Sequence, residues 1–191
     1  MGLGQTSNDC FIVNGVLHKY DGAFFGDFHV SQFKNLDVLV GSYPICEDDC
    51  NQLSFKGVTG VLNLLTDAEM NDLNYSKPQI LKYCGASNIK FTKNISIDEH
   101  NSLSQDNLNN LLSAAAYLDD MVNNKNLRVF VHCTSGHTRA MSVVMVYLSI
   151  YKKHPDWNDL DKLNQQLASQ YALSFPNIKA VEKVVQQNKN F

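Results

Sequence analysis

Apolar and polar positions along this chain switch between two periods. Val38-Leu39-Val40-Gly41, the run from Val58 to Leu65, and Val129-Phe130-Val131 are short, nearly continuous apolar stretches closed by turn residues. Their length and their richness in Val and Leu predict strands buried on both faces. Between them the period becomes helical. Leu108, Leu111, Leu112, Ala115 and Leu118 share one face and predict a helix over 104–123. Ser102 and Gln105 have the spacing of a capping box just ahead of it. A segment over 139–153 is apolar nearly all round, which predicts a helix at the domain's centre, stopped by Pro155. Two amphipathic helices follow, one on Leu160, Leu163 and Leu167, the other on Ile178, Val181 and Val185. Residues 78–84 read as a further helix, and 89–91 as a short strand leading into Ile95-Ser96-Ile97-Asp98. Strands alternating with helices predict an α/β fold, a central and mostly parallel sheet flanked by helices. No repeat or low-complexity linker divides it. One compact domain is expected over 31–188, behind a partly flexible N-terminal segment, 1–30.

Composition narrows the setting. At 191 residues the chain suits one full core. A net charge of −3 and a pI near 6.0 give no basic footprint, so nucleic acid is not an expected partner. No apolar run reaches the ~18 residues of a membrane span, and no signal peptide is visible. Five cysteines, an odd number without disulfide-framework density, fit a reducing, cytoplasmic compartment. Cys46-x3-Cys50 lacks the second ligand pair of a metal site, so these two read as incidental thiols, and neither a metal nor another cofactor is expected. Met1-Gly2-Leu3-Gly4-Gln5-Thr6 fits the pattern for N-myristoylation of Gly2, with Cys10 as a second acyl site. One such chain would give only marginal membrane association.

The chemistry concentrates after the third apolar run. His132-Cys133-Thr134-Ser135-Gly136-His137-Thr138-Arg139-Ala140 is a strand end, a tight loop and a helix N-terminus. Such a loop turns successive N–H groups inward to form an anion-binding concavity, and the helix dipole adds positive potential. Helix N-termini and nearby cations draw a thiol's pKa well below ~8.5. Arginine grips two oxygens of a phosphate at once, which lysine cannot. The chain has only two arginines, Arg128 and Arg139, and one of them stands where that fork is needed.

His132, Cys133, Gly136 and Arg139 fill every fixed position of His-Cys-x-x-Gly-x-x-Arg, so the chain resembles the protein tyrosine phosphatase superfamily. Its compactness and the motif's place in the last third resemble the dual-specificity branch, over about 36–187. The resemblance implies a phosphatase in which Cys133 attacks phosphorus and forms a phosphocysteine. Arg139 and the loop of Thr134, Ser135, Gly136, His137 and Thr138 would hold the phosphoryl oxygens, and His132 would orient the loop. The general acid of that branch is an aspartate thirty-odd residues before the cysteine. Asp98 stands thirty-five before it, with Glu99 as the adjacent competitor, while Asp106 falls in a helix's first turn. Ala140 departs from the usual Ser or Thr after the arginine, which implies slower breakdown of the intermediate. A second cysteine captures the oxidised nucleophile in several relatives, and Cys84 is the candidate here.

The expected substrates are phosphoserine, phosphothreonine and phosphotyrosine in proteins. Other segments resemble the plant-type glucan phosphatases, which free phosphate from starch: the Arg139-Ala140 pair, Leu39-Val40-Gly41-Ser42-Tyr43-Pro44, Val61-Leu62-Asn63-Leu64 and Ser174-Phe175-Pro176-Asn177. Phe175 would then stack on a sugar. Against that, Asp98-Glu99-His100 lacks the aromatic expected beside the acid, and no carbohydrate-binding module is present. The N-terminal aromatics Tyr20, Phe24, Phe25 and Phe28 read as core or strand edge rather than a sugar platform. A silent phosphate-binding adaptor is a third reading, opposed by the presence of both Cys133 and Arg139.

Overall fold

The computed structural model describes residues 4–7, 10–13, 16–19, 28–44, 46–72 and 89–188, with side chains from residue 28 onward. Within the expected N-terminal segment, Gly4–Ser7 (β1), Cys10–Val13 (β2) and Val16–Lys19 (β3) pair antiparallel as a sheet of their own.

The main sheet follows from the apolar runs. Val30–Gln32 (β4), Val38–Ser42 (β5), Gly60–Asn63 (β6), Phe91–Asn94 (β7) and Val129–Cys133 (β8) lie in the order β4-β5-β8-β6-β7. Only β4 runs antiparallel to its neighbour; β5, β8, β6 and β7 are parallel. β5 and β8 are buried at all five positions, as helices on both faces require. Side chains alternate between two cores with the period of a strand. Val38, Val40, Val129 and Val131 enter the larger core, whereas Leu39 and Phe130 enter the smaller one.

Six helices among the described residues cover the sheet: Glu47–Phe55 (α1), Asp67–Asp72 (α2), Gln105–Asp119 (α3), Arg139–Val146 (α4), Leu160–Gln170 (α5) and Ile178–Gln187 (α6). All eight residues of α4 are buried, as its unbroken apolar pattern predicts. It packs between α3 and α6 in the larger core. α3 and α4 each relax into a wider π-type turn, Asp120–Asn124 and Tyr147–Tyr151.

Several local expectations are corrected. Ser104, not Ser102, caps α3: its hydroxyl accepts from the Asn107 N–H at 3.3 Å. The Ser102 hydroxyl instead accepts from Asn177 Nδ2 at 2.9 Å, tying two surface loops together. The strand expected over 89–91 pairs two residues later, as β7, because its partner β6 begins only at Gly60. Cys46 is disulfide-bonded rather than an incidental thiol, whereas Cys50 and Cys133 form no disulfide. Phe28 packs edge-on against Phe130 in the smaller core. Gly2, Cys84, the helix expected over 78–84, and Tyr20, Phe24 and Phe25 lie outside the described residues. No helix among the described residues is long and apolar enough to cross a membrane.

Candidate active site

Parallel strands end together, and a crevice opens beyond their carboxyl ends. Here β8 ends at Cys133, which is in register with Ser42 of β5, while His132 is in register with Asn63 of β6. The loop 134–138 then folds back over β5, where the Tyr43 N–H donates to the Thr134 carbonyl at 3.4 Å. Two glycines allow close backbone approaches here. Gly136 has φ +78°, and a Cβ there would lie 2.3 Å from the Gly41 carbonyl. A Cβ on Gly41 would fall 2.0 Å from the His29 carbonyl oxygen. Gly136 thus lets the loop close onto the β5 backbone, while Gly41 lets the chain just ahead of β4 close onto β5.

The loop brings the Gly136 N–H to 3.2 Å from Cys133 Sγ. Cys133 is almost wholly buried. His132 is fully buried behind it, its ring stacked on Phe130 and its Nδ1 3.4 Å from the Cys133 carbonyl. Ser142 fixes the loop's far end. Its N–H and its hydroxyl both donate to the Thr138 carbonyl, at 2.9 and 2.8 Å.

Arg139 is held by a residue that the sequence reading missed. Glu69, in the first turn of α2, accepts from Nη1 at 2.7 Å and from Nη2 at 2.6 Å. The Thr134 hydroxyl joins the pair, donating to Glu69 at 3.1 Å and accepting from Arg139 Nη2 at 2.8 Å. Nη1 also donates to the Ile97 carbonyl at 3.0 Å. Nε is buried and has no partner among the described residues, so one guanidinium donor is left over. Glu69 is itself preset by a capping box. The Thr66 N–H donates to its carboxylate at 2.9 Å, and its own N–H donates to the Thr66 hydroxyl at 3.2 Å. Thr66-Asp67-Ala68-Glu69 right after β6 was a readable signal for this residue.

Burial opposes the charge on both partners, yet each is driven further toward its ionised form. Burial alone would raise Glu69, but the Arg139 and Thr66 hydrogen bonds outweigh it and hold the carboxyl below its usual value of 4.5. Burial alone would lower Arg139, but Glu69 and the charge of Cys133 raise it. A carboxyl lowered on folding stabilises the fold above its unfolded pKa, and that contribution is lost as pH falls through the folded value. The urea midpoint of the wild type is therefore expected to drop as pH falls below 4.5, and Glu69→Gln should flatten that acid limb. Equal limbs in the two proteins would show that the pair stabilises nothing.

The loop expected to carry the acid also reaches the site, with its two carboxylates in different places. Asp98 lies within its own turn, accepting from the His100 N–H at 2.9 Å and from Asn101 Nδ2 at 2.5 Å. These bonds, Asn101 first, hold its carboxyl below the usual aspartate value. Glu99 places Oε2 3.7 Å from Arg139 Nη2. Across the mouth, His137, His29, Tyr171 and Phe175 form an aromatic wall. His29 Nε2 and the Tyr171 hydroxyl are 2.9 Å apart. The Phe175 N–H donates to the His137 carbonyl at 3.1 Å, and its ring stays exposed. Burial lowers His137 against the opposing charge of Glu99. Ser135 is half-buried in the loop, and Ala140 is fully buried, placing no hydroxyl behind the thiol. No cluster of metal-ligating side chains occurs among the described residues.

The profile of a family described as "Swiss Army Knife protein, DSP-PTPase phosphatase domain" matches residues 30–183. No curated protein sequence matches the chain. Many solved structures share the fold, three of them as follows. The kinase-associated phosphatase KAP, with its catalytic cysteine substituted by serine, is 14% identical with a TM-score of 0.66, covering 86% of this chain and 97% of its own. Tk-PTP in its active form is 16% identical with a TM-score of 0.61, covering 84% and 97%. PTPMT1 is 18% identical with a TM-score of 0.60, covering 84% and 94%.

Proposed function

The chain belongs to the DSP-PTPase phosphatase family of Swiss Army Knife proteins, within the dual-specificity branch of the tyrosine phosphatase superfamily, and from that premise we propose that it hydrolyses phosphomonoesters of serine, threonine and tyrosine in proteins through a phosphocysteine. One arrangement carries the reading. A buried thiol accepts a loop N–H, and an arginine six residues on, fixed by Glu69, keeps one guanidinium donor free.

The steps follow from that geometry. The Cys133 thiolate attacks phosphorus while Arg139 and the loop of Thr134, Ser135, Gly136, His137 and Thr138 neutralise charge on the equatorial oxygens. His132, buried behind the loop, keeps its ground in place. The P–O bond to the leaving group breaks, and the loop at 98–99 supplies the proton the alcohol needs. Water then attacks the phosphocysteine, its proton returns to the same carboxylate, and phosphate leaves as the thiolate is restored. Ala140 offers no hydroxyl to ease that departure, so the second step is the slower one.

A phosphopeptide labelled at phosphorus, mixed with the enzyme and quenched in acid within a turnover, is expected to leave label on the peptide that contains Cys133. Phosphate release without label on the protein would overturn the phosphocysteine route. Phosphorylated starch run beside phosphopeptides tests the substrate class; faster release from starch would replace protein by glucan and give Phe175 the sugar contact.

A further inference from the structure

The two carboxylates beside the site are held in opposite ways. Asp98 is committed to its own loop. Asn107, buried in the first turn of α3, grips its backbone from both sides, accepting from the Asp98 N–H at 2.9 Å and donating to its carbonyl at 2.6 Å. The side chain then accepts two further hydrogen bonds, from the His100 N–H and Asn101 Nδ2. Both bonds need an ionised or accepting oxygen, so a proton on Asp98 would displace one of them. Glu99 has no hydrogen bond to its carboxylate among the described residues. It faces the guanidinium that grips the phosphoryl group, with Oε2 3.7 Å from Arg139 Nη2. The side chain is 49% exposed, so it is open to the water that the second step needs.

We propose that Glu99, rather than Asp98, donates the proton to the leaving oxygen and later takes one from the attacking water, while Asp98 is a positioning residue that shapes the loop. This inference rests on the phosphocysteine reading above. In the first step the O–H bond of Glu99 breaks as the P–O bond breaks, giving a neutral alcohol, a phosphocysteine and a Glu99 carboxylate. In the second, that carboxylate accepts the proton of the water whose oxygen bonds to phosphorus, and the S–P electron pair returns to Cys133. The longer side chain of glutamate reaches from the loop to the Arg139 guanidinium while Asp98 stays in its turn.

The test is a leaving-group series. p-Nitrophenyl phosphate leaves without much help, whereas phenyl phosphate needs a proton. Glu99→Gln is expected to slow phenyl phosphate by about 10²–10³-fold more than p-nitrophenyl phosphate. It should also remove the fall in kcat/KM on the alkaline side that marks ionisation of the acid. Asp98→Asn is expected to slow both esters by the same factor and keep that limb. Leaving-group dependence in Asp98→Asn and none in Glu99→Gln would overturn the assignment, as would uniform losses in both. Acid-quenched label on Cys133 in Glu99→Gln with p-nitrophenyl phosphate keeps the tests apart. If that label is missing from the wild type as well, the underlying chemistry fails, not the choice of acid.

Discussion

Cys133→Ser is expected to release no phosphate above background from p-nitrophenyl phosphate, a loss of about 10⁴-fold or more, while still binding phosphate esters. The serine hydroxyl holds its proton at neutral pH, and no imidazole among the described residues is hydrogen-bonded to the Cys133 side chain to remove it. His132 turns its Nδ1 to the backbone carbonyl of Cys133, and His137 lies across the mouth against Phe175 and Tyr171. Binding should survive because the grip lies elsewhere. The Gly136 N–H that meets Sγ can meet a serine oxygen, and Arg139 stays fixed by Glu69. The change is nearly isosteric in a buried site, so the fold should persist. Thermal unfolding with and without a phosphopeptide makes the measurement. The variant should show the wild type's shift in midpoint with ligand but no turnover. Residual turnover within a hundredfold of wild type would mean that another nucleophile does the chemistry. Intact turnover would return the chain to a mechanism without phosphocysteine.

How much of this was legible in the sequence depends on how local each feature is. The loop from His132 to Arg139 was readable because its parts are neighbours in the chain: an apolar strand, a glycine that must take a positive φ, and an arginine that opens a helix. The sheet was readable because burial on both faces leaves continuous apolar runs. Glu69 was not connected to Arg139, since that contact exists only because β6 lies beside β8 and points α2 at the loop. Its capping box with Thr66 was visible, but nothing in the sequence said what the free carboxylate oxygens would meet. Gly41 is similar. Its need for a bare Cα appears only when the His29 carbonyl, just ahead of β4, is folded onto it. The N-cap of α3 was placed two residues early because Ser102 and Ser104 look alike in sequence. Asn177, distant in the chain, takes the first and leaves the second to the helix. The loop expected to carry the acid was chosen by its distance from Cys133, but its two carboxylates are separated by Asn101 and Asn107, which spacing could not rank.

Arg139→Lys is expected to lower kcat/KM by about 10³-fold with the protein still folded, and Glu69 makes the reason specific. Lysine keeps one positive charge near the Glu69 carboxylate, so the half-buried acid is not stranded as it would be by alanine. It cannot keep the fork. Arg139 uses Nη1 and Nη2 on Glu69, Thr134 and Ile97 while Nε remains unpartnered, so structural and phosphoryl contacts come from one rigid plane. An ammonium that satisfies Glu69 has turned away from the phosphoryl group, and one that reaches the phosphoryl group has left Glu69. The two tasks therefore compete in lysine and coexist in arginine. Glu69→Gln should cost far less, about tenfold, because the guanidinium keeps its Thr134 and Ile97 contacts and its charge. A double variant should then lose little more than Arg139→Lys alone, since the residue Glu69 orients is already gone. Losses that simply multiply would mean that Glu69 acts on catalysis by a route other than Arg139. An Arg139→Lys enzyme within tenfold of wild type would show that point charge suffices at this position and that the planar fork grips no phosphoryl oxygen.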